Sequence, residues 1–444
     1  MRRGFAFDAA LCVGCNACNA ACVLENSMQP GTRSIFSWNS AALPLASVIN
    51  LSMACNHCNK PVCLEGCPAR AYTVDEKGVV IHHTDRCMGC RYCTWRCPYD
   101  ALKINLAKGY IEKCHFCLER DADGIEPACV TACPTGALNI TEQNEFVPVS
   151  MPWFPETGTE PSVVIRGVTI GNKPVIIPQE TDDNVMSPPS RENKLLKEWS
   201  LLLFSLLVLS AAAIIIPSAL KGTAPSLRVP PIMLAAAMLI SLAHLGVPVK
   251  AWRATFNIMH SPLSREIGMV SILTLIAFIN WLKPGMIHPV VQAIAALLTL
   301  ISVDLVYFSA DRSPLLKLHS GQAFFCGVFL ASWSIAPATI FIAFSMLAAV
   351  SVVLRYRSLE RDRVIRSLYY FRALSLPLVF ILLYPDTRLT STIAAILFVA
   401  GIAADRALFI DDFDPVNIKE KIQEHLYYEY EKERDKQRPD TGIP

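Results

Sequence analysis

Sixteen of the chain's 17 cysteines fall between Cys12 and Cys133, in four groups of four. The first is Cys12, Cys15, Cys18 and Cys22, spaced C-x2-C-x2-C-x3-C. The second is Cys55, Cys58, Cys63 and Cys67, spaced C-x2-C-x4-C-x3-C. The third is Cys87, Cys90, Cys93 and Cys97, spaced C-x2-C-x2-C-x3-C, and the fourth is Cys114, Cys117, Cys129 and Cys133, spaced C-x2-C-x11-C-x3-C. The last three groups end in Cys-Pro, at Pro68, Pro98 and Pro134. Three chemistries compete for such a pattern. Disulfides need an oxidising compartment and distant partners for closely spaced cysteines, and no signal peptide is read after Met1-Arg2-Arg3. A zinc ion takes two close pairs, whereas the first and third groups crowd three cysteines into seven residues. Cubane [4Fe–4S] clusters take three thiolates from one tight loop and a fourth from a more remote cysteine followed by proline. The spacing favours this last reading, and four groups of four predict four clusters.

Residues between the cysteines agree. Gly14, Ala17 and Gly89 are small, so the backbone can wrap inorganic sulfides and offer them N–H groups. AYTVDEKGVVIHH (Ala71–His83) reads as a hairpin, with strands Tyr72–Val74 and Val79–Ile81 and a turn at Asp75–Gly78. Ala101–Asn105 reads as another strand.

The rest of the chain is of another kind. Over 444 residues 52% are hydrophobic and only 18% charged, too few charges to cover a soluble protein of this length. The excess lies in residues 195–410, and a net charge of +2 speaks against a nucleic-acid partner. The reading is a two-part chain. A cysteine-dense head (1–140) is followed by an extended proline-rich linker (141–193), with a short hairpin read around Gly171-Asn172. A membrane body (194–410) and a charged tail (411–444) complete it. Eight apolar runs are long enough to span a bilayer: 198–220, 231–248, 266–284, 288–309, 320–335, 337–355, 368–385 and 389–410. With an even number of spans, head and tail share a side. Thirteen Lys and Arg between Arg191 and Arg366 flank the spans on that side, against Lys221, Arg228, Lys283 and Arg388 on the other. That bias places the head on the cytoplasmic side of the cell's inner membrane.

Polar residues inside spans are costly and mark sites, although an end-cap or snorkelling role is the bland alternative for any one of them. His244, Arg265, Glu266, Asp304, Arg372, Asp405 and Arg406 all lie toward the head side of their spans. Together they predict a polar pocket beneath the clusters. A quinol suits such a place, because it must give two electrons to a nearby acceptor and two protons to His or carboxylate groups. Only His244 sits well within a span, so the paired axial ligands of a haem are not expected. Cys326 reads as packing.

Residues 5–140 resemble the four-cluster iron–sulfur subunit of the dimethyl sulfoxide reductase family of molybdenum enzymes. The resemblance rests on CVGCNACNAAC, ACNHCNKPVCLEGCP, CMGCRYCTWRCP and KCHFCLERDADGIEPACVTACPTGAL. It implies an α+β ferredoxin-like iron–sulfur head, which the eight apolar runs join to an all-α eight-helix transmembrane bundle. It also implies that the groups pair first with fourth and second with third. Cys12, Cys15, Cys18 and Cys133 then share one cluster, and Cys114, Cys117, Cys129 and Cys22 its neighbour. Cys55, Cys58, Cys63 and Cys97 hold a third, and Cys87, Cys90, Cys93 and Cys67 the fourth.

Residues 197–410 are similar to the anchor subunit of the same family through LAHLGVPVKAW, SPLSREI and, more weakly, ADRALF. That similarity ties His244 and Glu266 to binding of menaquinol or ubiquinol. The eight-helix anchors of the polysulfide and nitrite reductase type are the rival. The function implied is quinol oxidation, with electrons passed through four clusters to a separate molybdopterin-containing catalytic subunit. Reverse flow from a dehydrogenase partner to quinone is the alternative, as is a module without a molybdenum partner. A cytoplasmic head departs from the respiratory dimethyl sulfoxide reductases, whose cluster subunits face outward.

Overall fold

The computed structural model describes residues 2–38, 48–143, 157–167, 198–221 and 229–309, with the single positions 397, 400, 401, 403, 404 and 407. The described residues fall into two compact units, the first ending at residue 167 and the second beginning at residue 198.

The first unit begins with strand β1 (Arg2–Asp8), whose Phe5 and Phe7 alternate into the core as a half-buried strand requires. Helix α1 (Ala17–Asn26) follows, then the antiparallel pair β2 (Ser34–Trp38) and β3 (Ile49–Met53). Helix α2 (Val62–Gly66) leads to the hairpin of β4 (Tyr72–Val74) and β5 (Val80–His82), and helix α3 (Tyr92–Arg96) to the hairpin of β6 (Lys103–Asn105) and β7 (Tyr110–Glu112). Helices α4 (Leu118–Ala122) and α5 (Ala128–Thr131) precede β8 (Leu138–Gln143) and β9 (Val163–Arg166). The Asp75–Gly78 turn forms as read: Gly78 adopts φ +77°, and the Asp75 carboxylate accepts from the Val79 N–H at 2.7 Å.

Strands far apart in sequence close the head. β1 is the centre of a three-stranded sheet, antiparallel to β8 and parallel to β9. Val163–Arg166, inside the proline-rich stretch, is therefore a strand of the head's sheet, and the Gly171-Asn172 hairpin lies outside the described residues. At Gly4 the Ser162 backbone comes so close that a Cβ would meet its carbonyl oxygen. Gly4→Ala is expected to destabilise the head by about 1–3 kcal/mol, the usual cost of forced overpacking. Thermal unfolding of the purified chain checks this.

The core is built in two halves around sulfur. One gathers Phe5, Phe7, Leu51, Met53, Phe116, Leu138 and Val163 about Cys18, Cys55, Cys114 and Cys129. The other gathers Ala69, Ala71, Tyr72, Val80, Leu102 and Ile111 about Cys63, Cys67, Cys87 and Cys93. The helices follow the same division: α1 packs on α5, and α2 on α3.

The second unit contains α6 (Trp199–Lys221), α7 (Val229–Ser241), α8 (Pro262–Leu282) and α9 (Pro289–Phe308). Among the described residues three helices are long and apolar enough to cross a membrane, or four if a bent pair counts as one span. α6 packs against α7 and α9, and α8 against α7 and α9. The bent pair is the expected second span. Its α-helix ends at Ser241, a 3-10 turn runs through His244, and Pro248–Thr255 continues at 115°. The chain is already extended at Leu245 (φ −79°, ψ 133°), and Pro248 keeps Val247 out of the helical region at φ −133°, ψ 78°. α8 starts at Pro262, before the apolar run at 266. Ser261 caps it, accepting from the Ser264 N–H at 3.4 Å, with Pro262 in the first turn. The expected spans 320–335, 337–355 and 368–385 lie outside the described residues, and 389–410 is described only at single helical positions.

Candidate metal centres

All sixteen cysteines of the head are free of disulfides. The four C-x2-C loops share one backbone device. The residue before the second cysteine has positive φ in each: Gly14 (68°), His57 (43°), Gly89 (70°) and Phe116 (64°). A second device follows each Cys-Pro, where the residue three after the cysteine is also left-handed: Arg70 (49°), Asp100 (50°) and Gly136 (64°). Such windings turn successive N–H groups inward and make concave anion sites. The sulfurs receive some of them. Gly89 N donates to Cys87 Sγ at 3.4 Å, Phe116 N to Cys114 Sγ at 3.4 Å, and Ala71 N to Cys67 Sγ at 3.3 Å. Two side chains also donate: the Tyr72 hydroxyl to Cys93 Sγ at 3.2 Å and Asn26 Nδ2 to Cys117 Sγ at 3.5 Å.

The cysteines gather across groups. Cys22, Cys114, Cys117 and Cys129 line a single cavity, with Arg33, Phe5 and Phe116 in its wall. Cys12 has Cys18, Cys133 and Cys15 as its sulfur neighbours. Cys58 has Cys55, Cys97 and Cys63, and Cys93 has Cys90, Cys67 and Cys87. Burial pushes the thiols up: Cys22, Cys67 and Cys97 to about 11, Cys90 to about 12, and Cys63 and Cys114 in the same direction. Thiolates in such surroundings need a positive partner. A metal cluster supplies one, so the donor set fits soft, thiolate-ligated iron. Among the described residues no three Cys, His, Asp or Glu close around one metal ion. Cubane ligands stand farther apart, because each thiolate binds its own corner iron.

Two cations are buried beside the sulfurs. Arg33 is 1% exposed, and Lys113, 2% exposed, donates to the carbonyls of Val80 and Cys114. His57 is fully buried and held well below the usual imidazole range, first by burial and then by Lys113. None of Arg33, Lys113 or Tyr72 stands out in the sequence. A lone Arg or Tyr between motifs carries no spacing signal, and only the fold brings each to a sulfur cage.

In the second unit, His244 ends the 3-10 turn after α7. Glu266 and Asp304 are buried, at 5% and 7% exposure, near the start of α8 and the end of α9. Thr299 Oγ1 donates to the Met269 carbonyl at 3.4 Å, which fixes the register of the two helices. From that contact Glu266 lies about one turn back along α8 and Asp304 less than two turns on along α9, so both carboxylates sit at the same end. Arg265 is exposed and donates to the carbonyls of Ile258 and Met259. Arg372, Asp405 and Arg406 lie outside the described residues.

Residues 46–143 match the 4Fe-4S dicluster domain family, a segment that holds the second, third and fourth cysteine groups. Over 153 residues the sequence is 37% identical to the B component of anaerobic dimethyl sulfoxide reductase from Escherichia coli (strain K12), covering 32% of this chain and 75% of that protein. It is 37% identical over 147 residues to the B component of polysulfide reductase from Wolinella succinogenes, covering 32% and 77%. The B component of tetrathionate reductase from Salmonella typhimurium is 32% identical over 182 residues, covering 38% and 73%. With its sulfur-lined core and this extent of identity, the chain belongs to the family of iron–sulfur subunits of the dimethyl sulfoxide and polysulfide reductases.

Proposed function

We propose that this chain joins a four-cluster electron-transfer head to an eight-helix anchor that oxidises quinol. The observation that carries the reading is the cavity in which Cys22 meets Cys114, Cys117 and Cys129 across nearly a hundred residues. It supports pairing of the first group with the fourth, and the packing of α2 on α3 supports pairing of the second with the third. When bound, the cubanes take up and release one electron at a time. The residues around them exclude water and set N–H and O–H donors against sulfur.

The quinol binds near His244 and Glu266, which accept its hydroxyl protons, while Asp304, Arg265 and Arg406 complete the polar lining. The buried Glu266 and Asp304 at one end of α8 and α9 support this site, because carboxylates in apolar helices are retained for function. The head faces the cytoplasm by the Lys and Arg bias, and no haem is required. Electrons leave the head for a separate catalytic subunit, which holds a molybdopterin cofactor.

Affinity purification of the full chain in mild detergent tests the assembly. About sixteen iron atoms per chain, at four per cubane, together with a large co-purifying chain and molybdenum, are expected. Full iron without molybdenum or a large partner would turn the reading to a ferredoxin–quinone module.

The Tyr72 hydroxyl bears on the potential of the cluster that Cys93 binds. A hydrogen bond to a thiolate favours the more negative, reduced form. Tyr72→Phe is therefore expected to lower one midpoint by about 1 kcal/mol, roughly a fivefold change in the reduced-to-oxidised ratio. Redox-poised EPR measures it.

A further inference from the structure

Arg33 lies in the loop between α1 and β2, in the interior of the head. Its guanidinium stands over the Phe5 ring, 4.5 Å from the centroid. Nη1 donates to Ser52 Oγ at 3.0 Å, while Nε and Nη2 are buried with no hydrogen-bond partner among the described residues. No carboxylate pairs with it among the described residues. Facing it are the sulfurs of Cys129, Cys114, Cys18 and Cys22, which carry negative charge once they are ligand thiolates. It also forms part of the wall of the cavity that Cys22, Cys114, Cys117 and Cys129 line. A guanidinium this far from water is strongly disfavoured unless a negative charge balances it, and a Leu or Met would fill the same volume without that burden.

We propose that Arg33 is a positioning residue whose fixed positive charge raises the reduction potential of the cluster held by Cys22, Cys114, Cys117 and Cys129. This rests on the ligand reading given under the proposed function. On reduction one electron enters and no bond or proton moves, so the site gains one unit of negative charge. A permanent cation beside it stabilises the reduced form more than the oxidised one. The Cys18 sulfur also faces Arg33, so the neighbouring cluster feels a smaller effect of the same sign.

The experiment is a redox-poised EPR titration of the full detergent-solubilised chain, with iron assayed on each sample. In Arg33→Gln one midpoint is expected to fall, so that the reduced-to-oxidised ratio at fixed poise drops about tenfold, equivalent to about 59 mV for one electron. Arg33→Lys keeps the charge and is expected to hold that ratio within about threefold, by the smaller reach of its point charge. An Arg33→Gln chain with full iron and unmoved midpoints overturns the proposal. So does an Arg33→Lys chain displaced as far as Arg33→Gln. Should Arg33→Gln fail to take up iron, Arg33→Met decides, because it fills the same volume without the charge. A lowered midpoint there supports the proposal, and an unmoved one overturns it. Absence of iron and cubane signals from the unaltered chain would instead remove the ligand reading itself.

Discussion

Cys22→Ser is expected to extinguish the same cluster signal as Cys117→Ser, and a different one from Cys15→Ser. Sequence position argues the other way, since Cys22 is only seven residues from Cys15 and far from Cys117. The fold reverses that proximity. α1 carries Cys22 onto α5, and its sulfur enters the cavity of the fourth group. Asn26, one turn further along α1, donates to the Cys117 sulfur, which ties the same two regions together. Each substitution is expected to remove at most one cluster, about four iron atoms, and to leave the other signals in place. Electron flow through the head should then fall to background, because a chain of one-electron carriers fails at its missing member. EPR of the three variants checks the assignment. If Cys22→Ser and Cys15→Ser lose the same signal, the cross-group pairing is wrong.

Glu266→Gln should leave every cluster signal intact and slow quinol-driven cluster reduction by at least about 100-fold, the low end for loss of a positioned proton acceptor. Gln keeps the size of the side chain and its hydrogen-bonding oxygen, so packing at the start of α8 is preserved. Chemical reduction of the clusters by dithionite provides the control, and it should proceed unchanged. Asp304→Asn is expected to act in the same direction with a smaller effect, since that carboxylate lines the site in this reading without accepting the first proton. Unaltered quinol-driven reduction in Glu266→Gln would remove the site from this end of the helices.

The cysteine pattern made the chemistry of the head legible because cluster ligation imposes a local spacing. The Asp75–Gly78 turn was legible for the same reason: a tight turn requires particular residues in consecutive positions. The apolar runs marked α6, α8 and α9 through length alone. What was not legible depends on contacts between distant segments. Arg2–Asp8 is too short and too mixed to announce itself as the centre of a sheet, and its partners stand more than a hundred residues away. The bend after Ser241 was written in Gly246 and Pro248, but an apolar run carried through them reads as one span. Arg33 looked like any loop residue, because its meaning comes from the sulfurs that α1 and the fourth cysteine group bring around it and from Ser52 of β3.

β9 gives the head a folding boundary that the cysteines do not mark. The last cysteine of the head is Cys133, yet Phe5–Asp8 of β1 are paired on one side by residues 163–166. A head ended at Gln143 would leave that row of N–H and C=O groups open, a template on which a second chain could add a strand. During synthesis the sheet can close only once Arg166 has emerged. Trp199, which opens the first apolar helix, follows shortly after. Completion of the head's sheet and the appearance of the first apolar helix are therefore neighbouring events along the growing chain.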